Sequence, residues 1–258
     1  MSIASLSPTA TEMLYAIGAG DQVTVVDKNA DYPADLSKAR VDAYQLNVEA
    51  LTAYKPDLVV TVGSSPDQEA KFKALGMTMI AETAPANLDG TYAQINQLGQ
   101  VTGHAAEAAA LVTKMKGQVA AIAAQAPVET RPLTYYYELD QTYYSVTSAT
   151  FIGSVLADLG LVSIADKAKG AAAAGGYPQL DSEFILRANP DYIFLADTIC
   201  CGQSAASVKA RDGWSALSAV SDGRILELND NIASRWGPRI VDLLESVAAE
   251  MKEHAVPQ

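Results

Sequence analysis

Gln45-Leu46-Asn47-Val48-Glu49-Ala50-Leu51-Thr52-Ala53-Tyr54-Lys55-Pro56-Asp57-Leu58-Val59-Val60 decides how this chain folds, because the same pattern returns as Gln179-Leu180-Asp181-Ser182-Glu183-Phe184-Ile185-Leu186-Arg187-Ala188-Asn189-Pro190-Asp191-Tyr192-Ile193-Phe194. Gln45, Leu46, Asn47, Glu49, Pro56 and Asp57 match Gln179, Leu180, Asp181, Glu183, Pro190 and Asp191, each pair 134 apart (179 − 45 = 134). Self-similarity at a fixed offset signals a duplicated structural unit. The physical reading is the same in both copies. Asn47 or Asp181 caps a helix by accepting from its unpaired first amides. The glutamate follows in the first turn, where the helix dipole favours an anion. Pro-Asp then stops the helix and launches a buried strand.

A weaker echo lies outside this repeat. Leu14, Ile17 and Gly18 parallel Leu156, Leu159 and Gly160, each pair 142 apart (156 − 14 = 142), and each set predicts a helix ending at a glycine. Short β-rich apolar runs punctuate the chain at 3–7, 23–26, 58–62, 77–80, 133–137, 192–195 and 224–228, with helix-length segments between them. That rhythm predicts an α/β protein with mainly parallel sheets. From Ala105 to Gln125, Leu111, Val112, Met115, Val119 and Ile122 recur at near-helical spacing, and Pro127 and Pro132 follow. The expected organisation is two Rossmann-like lobes, 1–103 and 127–258, joined by one long connecting helix over 104–126.

Composition narrows the function. The 258 residues carry a formal net charge of −12, which repels phosphate backbones and argues against a nucleic-acid partner. No apolar run reaches the ~18 residues of a membrane span. No basic segment, apolar segment and cleavage site opens the chain. Two expectations follow: a cytosolic protein, or an exported one whose leader is absent from this sequence. Cys200 and Cys201 are the only cysteines and are adjacent, so neither a disulfide framework nor a zinc site is expected. Two ordinary loop thiols or a vicinal disulfide fit the pair. Enzyme motifs are missing: no Gly-x-Gly-x-x-Gly, no phosphate loop ending in Gly-Lys-Ser/Thr, and no Gly-x-Ser-x-Gly elbow. The expectation is therefore not an enzyme. Only His104 and His254 are histidines, too few for a receptor of bare metal ions.

Leu6-Ser7-Pro8-Thr9-Ala10-Thr11-Glu12, Asp31-Tyr32-Pro33, Tyr44-Gln45-Leu46-Asn47-Val48-Glu49, Lys55-Pro56-Asp57-Leu58-Val59-Val60, Tyr177-Pro178-Gln179-Leu180-Asp181-Ser182-Glu183 and Trp236-Gly237-Pro238-Arg239 occur in this order. Together they resemble the ABC-importer substrate-binding proteins for iron-siderophores, haem and cobalamin, over nearly the whole chain. The resemblance implies a ligand held in the cleft between the lobes and an exported protein, periplasmic or lipid-anchored. It also implies docking of Glu49 and Glu183 on a homodimeric ABC permease with its ATPases. A matched pair of carboxylates suits such a symmetric cationic partner.

The resemblance further implies no cofactor of the protein's own. The cargo would be a cobalt corrinoid or an iron chelate, with cobalamin leading and haem or a ferric siderophore as alternatives. Candidate ligand contacts are Tyr32, Tyr44, Tyr144 and Tyr177, at positions resembling the aromatic lining of cobalamin binders. A tryptophan often occupies two of those positions, where this chain has Tyr44 and Tyr177, and Val62 stands at a third. Tyrosine pairs an apolar face with a polar tip, and its excess (12 Tyr against 4 Phe) suits a wet ligand site. Asp230, Asn231, Arg235 and Trp236 form a second candidate cluster before the last helix. Glu138, Asp140 and Gln141 are candidate acceptors for ligand amides. For each, an ordinary loop or capping role is the competing reading. Ser7, Thr9 and Thr11 fit capping better than anion binding in so acidic a chain.

Overall fold

A computed structural model describes residues 1–127 and 130–256. The chain forms two compact units. The first comprises Met1–Pro85, Asp89–Lys116 and Arg235–Pro238, and the second Ala86–Leu88, Gly117–Ser234 and the residues from Arg239 onward. The helix spanning Ala105–Ala123 begins in the first and continues into the second.

The first unit is built on five strands, β1 (Ile3–Leu6), β2 (Val23–Asp27), β3 (Ala39–Val41), β4 (Leu58–Thr61) and β5 (Thr78–Ala81). They pair in the order β3-β2-β1-β4-β5, all parallel. The second unit has β6 (Leu133–Glu138), β7 (Leu161–Ser163), β8 (Tyr192–Leu195) and β9 (Ile225–Glu227), ordered β7-β6-β8-β9 and again parallel. The fold is thus α/β with two parallel sheets. In each sheet the chain reverses direction of growth at one place, between β1 and β4 and between β6 and β8. Such a switch point opens a crevice outside the carboxyl ends of the strands.

Apolar faces explain the layers. Ala4, Leu6, Val25, Val59 and Phe72 pack with Val48, Leu51 and Met77 in the first unit. Tyr136, Ile193 and Leu195 pack with Ile185, Val208 and Trp214 in the second. Trp214 is fully buried and its Nε1–H donates to Ser182 Oγ at 2.8 Å. The tyrosine excess reads only partly as a wet surface. Tyr135, Tyr136, Tyr137 and Tyr192 are core residues. For three of them a partner offsets burial of the hydroxyl: Tyr136 donates to Glu138, Tyr137 to the Ala233 carbonyl and Tyr192 to that of His254.

The repeat is structural. Asp181 caps the helix Ser182–Ala188 by accepting from Phe184 N at 2.7 Å. Asn47 does the same for Ala50 N at 3.1 Å, but the first copy continues as a 3₁₀ helix, Ala50–Tyr54, rather than an α-helix. Both copies end in a left-handed residue, Lys55 at φ 47° and Asn189 at φ 44°. Each Pro-Asp then makes a reciprocal lock on the neighbouring strand. Asp57 N donates to the Ser2 carbonyl at 2.8 Å, and Ser2 N donates to Asp57 Oδ2 at 2.7 Å. Asp191 N donates to the Thr134 carbonyl at 2.9 Å, and Thr134 N donates to Asp191 Oδ2 at 2.8 Å. Gly18 and Gly160, at φ 84° and 77°, end their helices in the left-handed region that glycine adopts without strain.

The second lock is the stronger. Asp191 is buried and also receives Arg131 through both guanidinium nitrogens at 2.7 and 2.6 Å. Burial alone would raise its pKa, but Arg131 and Thr134 hold the carboxyl below the usual aspartate value. Asp57 is exposed. Replacing Asp191 by alanine strands the half-buried Thr134 amide and the Arg131 guanidinium and is expected to destabilise by about 2–3 kcal/mol, against about 1 kcal/mol or less for Asp57→Ala. Chemical denaturation of the two variants measures the difference, and equal losses would contradict it.

Candidate functional site

Loops leaving the carboxyl ends of the first sheet carry three exposed apolar side chains. Tyr32, Tyr44 and Val62 expose 43%, 90% and 46% of their surface, although such groups are normally covered. The loops beneath them are fixed. Asp27, buried at the end of β2, accepts from Asn29 N at 2.8 Å and from Ala43 N at 3.0 Å. Asp42 accepts from Tyr44 N at 3.0 Å and pairs with Lys28 at 2.7 Å. The Lys28 ammonium, with Tyr44 and Gln45 amides, holds the Asp42 carboxyl below its usual value.

Arg235 belongs to this first unit. Its guanidinium is committed internally, donating to buried Glu12 at 2.8 Å, to Asp31, and to the Asn29 carbonyl at 3.1 Å. Trp236 is half-buried and its Nε1–H donates to Gln94 Oε1 at 2.8 Å. Ser7 Oγ accepts from Ala10 N at 3.2 Å, the capping role.

In the second unit, Tyr144 and Tyr177 are 41% and 42% exposed. Tyr143 takes a φ of 69° and stacks on Trp214 at 5.7 Å. Tyr144 then forms an antiparallel bridge with Gln179, which sets the Tyr144 and Tyr177 segments side by side. At the switch point itself sits a buried ionic group. Glu138, ending β6, is fully buried and receives both Arg211 terminal nitrogens at 2.6 Å. Arg211 also lies over the Trp214 ring at 4.6 Å. Glu138 therefore does not offer acceptors to a ligand, because Arg211 and the Tyr136 hydroxyl occupy its oxygens. Asp140 turns inward on Thr142 N at 2.7 Å. Gln141 Oε1 receives Gln203 Nε2 at 3.4 Å.

Asp230 is likewise spent within the unit. It is buried and accepts from Thr198 N, Ile199 N and Cys200 N at 2.9, 2.9 and 2.7 Å. Asn231 is half-buried, with its backbone N–H on Asn229 Oδ1 at 3.0 Å. The three amides held by Asp230 open a short helix, Thr198–Cys201, whose two cysteines are joined as a vicinal disulfide. Loop thiols do not describe them. Glu49 and Glu183 are exposed, Glu49 at the N-cap position of the Ala50–Tyr54 helix and Glu183 in the first turn after the Asp181 cap. A 3.7 Å pair of Glu183 with Arg187 is solvent-bathed and weak.

Two features escaped the sequence reading. Ile199 is 60% exposed beside the disulfide. Asp197, two residues past β8, is fully buried with no donor on either carboxyl oxygen. Burial first, then the adjacent Glu138 carboxylate, pushes Asp197 up to about 7. The signal was present: Asp197 follows the apolar run ending at Leu195 much as Glu138 follows Leu133–Tyr137. Among the described residues no group of three or more His, Cys, Asp or Glu could hold a metal ion.

A family model described as periplasmic binding protein matches residues 3–232. The chain is 30% identical over 255 residues to YvrC of Bacillus subtilis, an uncharacterized ABC transporter substrate-binding lipoprotein, covering 95% of this chain and 78% of that one. The structure of the periplasmic vitamin B12-binding protein BtuF of Vibrio cholerae superposes with a TM-score of 0.80 at 27% identity, over 99% of this chain and 98% of that one. A possible iron-binding (periplasmic solute-binding) protein from Staphylococcus epidermidis superposes with a TM-score of 0.80 at 27% identity, over 97% of this chain and 98% of that one.

Asp197 makes stability depend on pH with a definite sign. Its folded pKa lies above the ordinary aspartate value, so folding favours the protonated form and its contribution is lost as pH rises through the window from about 4 to about 7. Asp197→Asn removes the ionisation. Relative to the wild type, the variant is expected to gain stability steadily across that window in thermal melts. A difference independent of pH would refute this.

Proposed function

This chain belongs to the periplasmic binding protein family, the substrate-binding proteins of ABC importers, and we propose that its cargo is a cobalt corrinoid of the cobalamin type. The observation that carries the proposal is the set of exposed rings on fixed loops, Tyr44 at 90% above all. A flat macrocycle fringed by neutral amides gains from such rings by area and stacking. Charge supports the same choice. Lys28, Arg211 and Arg235 in these loops are already paired with Asp42, Glu138 and Glu12. A cargo with carboxylates or catecholates would need cations that these carboxylates have taken. Tyr32, Tyr44, Tyr144 and Tyr177 are the proposed contacts. Arg235, Asp230 and Glu138 hold the loops, and Trp236 and Asn231 stand beside them. Glu49 and Glu183 are the proposed docking points on a homodimeric permease. Export, to a periplasm or to a lipid anchor at the cell surface, accords with the relatives' names.

Titration with cyanocobalamin, haemin and a ferric hydroxamate tests the cargo. Cyanocobalamin is expected to bind tightest. Tyr44→Ala or Tyr177→Ala is expected to weaken it about fivefold or more, each ring contributing on the order of 1 kcal/mol, while phenylalanine is tolerated. Haemin held through a tyrosinate would instead lose its spectrum on Tyr→Phe replacement. Preference for haemin or the hydroxamate would overturn the corrinoid proposal.

Docking has its own test. The Glu49→Ala/Glu183→Ala double variant is expected to bind cargo normally and to lose stimulation of the transporter's ATPase. Full stimulation by the double variant would exclude these glutamates as docking points.

A further inference from the structure

We propose that Ile199 and the Cys200–Cys201 disulfide form an additional apolar contact surface for the transported macrocycle, on the second unit. The proposal rests on the corrinoid reading above and adds a contact that the repeat motifs do not mark.

The helix Thr198–Cys201 leaves the carboxyl end of β8, beside the switch point between β6 and β8. Ile199 is 60% exposed and both cysteines are exposed. A disulfide has neither an S–H donor nor a charge, so this tip presents polarisable, apolar surface to water. It is not a loose tip. Asp230 accepts from three consecutive backbone amides, and the Thr198 hydroxyl donates to the Leu228 carbonyl at 2.7 Å. Asp230 is itself buried, so the base of the tip is fixed in the interior. Gly202, at φ 67°, then turns the chain away. A rigid segment that ends in an exposed isoleucine and disulfide gains nothing for folding from that exposure.

The tip is continuous with the proposed aromatic contacts. Gln203 Nε2 donates to Gln141 Oε1 at 3.4 Å, and Gln179 Nε2 donates to the Thr142 carbonyl at 3.0 Å. Tyr144 bridges to Gln179. One hydrogen-bonded run therefore connects the tip to the Tyr144 and Tyr177 segments. The nearby cation, Arg211, is held by Glu138 and Gln203 at 2.6 and 2.9 Å. The surface thus suits the neutral, methyl-bearing edge of a macrocycle and not an anionic group.

Calorimetric titration of cyanocobalamin into the full chain tests the assignment. Ile199→Ala is expected to weaken binding by about threefold to tenfold, and Ile199→Met, which restores apolar area, to recover most of it. Cys200→Ser/Cys201→Ser is expected to weaken binding comparably, with its unfolding midpoint measured alongside. If both variants bind like the wild type while Tyr177→Ala does not, this inference falls and the corrinoid reading stands. Equal losses in Ile199→Ala and Ile199→Met also overturn it, because area is then not what matters. A wild-type protein that binds none of cyanocobalamin, haemin and the ferric hydroxamate overturns both. Mass spectrometry after alkylation without reductant is expected to show no alkylated cysteine, and two alkylated thiols would overturn the disulfide surface.

Discussion

Parallel strands need their starting ends fixed, since no hairpin turn sets their register. Here one device does this twice. An aspartate after proline exchanges two hydrogen bonds with a residue at the start of the central strand, Asp57 with Ser2 just before β1 and Asp191 with Thr134, the second residue of β6. Everything at the far ends of the sheets depends on it. Once β4 is locked to β1 and β8 to β6, their carboxyl ends are placed, and the loops that follow inherit fixed origins. The proline and the left-handed residue before it end the helix where this exchange can begin.

At those far ends the protein puts its costly groups inside and its apolar ones outside, the reverse of the usual arrangement. Glu138, Arg211, Asp197, Asp230, Glu12 and Arg235 are withdrawn from solvent or nearly so. Tyr44, Tyr144, Tyr177 and Ile199 stand out in it. The two halves of this inversion are linked. Buried Asp27 and Asp230 gather backbone amides of the loops, and that internal hydrogen bonding fixes the segments that carry Tyr44 and Ile199.

Much of this was legible in the sequence. The duplicated Gln-Leu-Asn/Asp segment fixed the architecture because caps, proline and buried strands are local signals. Most strands of the two sheets stood out as apolar runs. β3 and β7 did not, being three residues each, with Arg40 and Ser163 breaking the apolar pattern. The exposed tyrosines could be picked out as loop residues next to the repeats. Which polar groups turn inward could not be seen, because Glu138 meets Arg211 across 73 positions and Arg235 meets Glu12 across 223. Local pattern carries no trace of such pairings. Asp230 and Arg235 therefore read as ligand groups although the fold spends them on itself. Tyr137 and Tyr192 were legible as members of apolar strand runs, but the distant carbonyls that accept from their buried hydroxyls were not.

The pairing of cations near the loops has a kinetic side. If the cargo is the neutral corrinoid proposed, its approach feels little long-range field, and its capture rate should hardly vary with ionic strength. The whole chain, at a net charge of −12, still projects a field over about a Debye length, some 8 Å in physiological salt. A basic docking surface on a membrane partner would be drawn in by that field and released from it as salt rises. Collecting the cargo and handing it over would then answer to different properties of the medium, the first to concentration alone and the second also to salt.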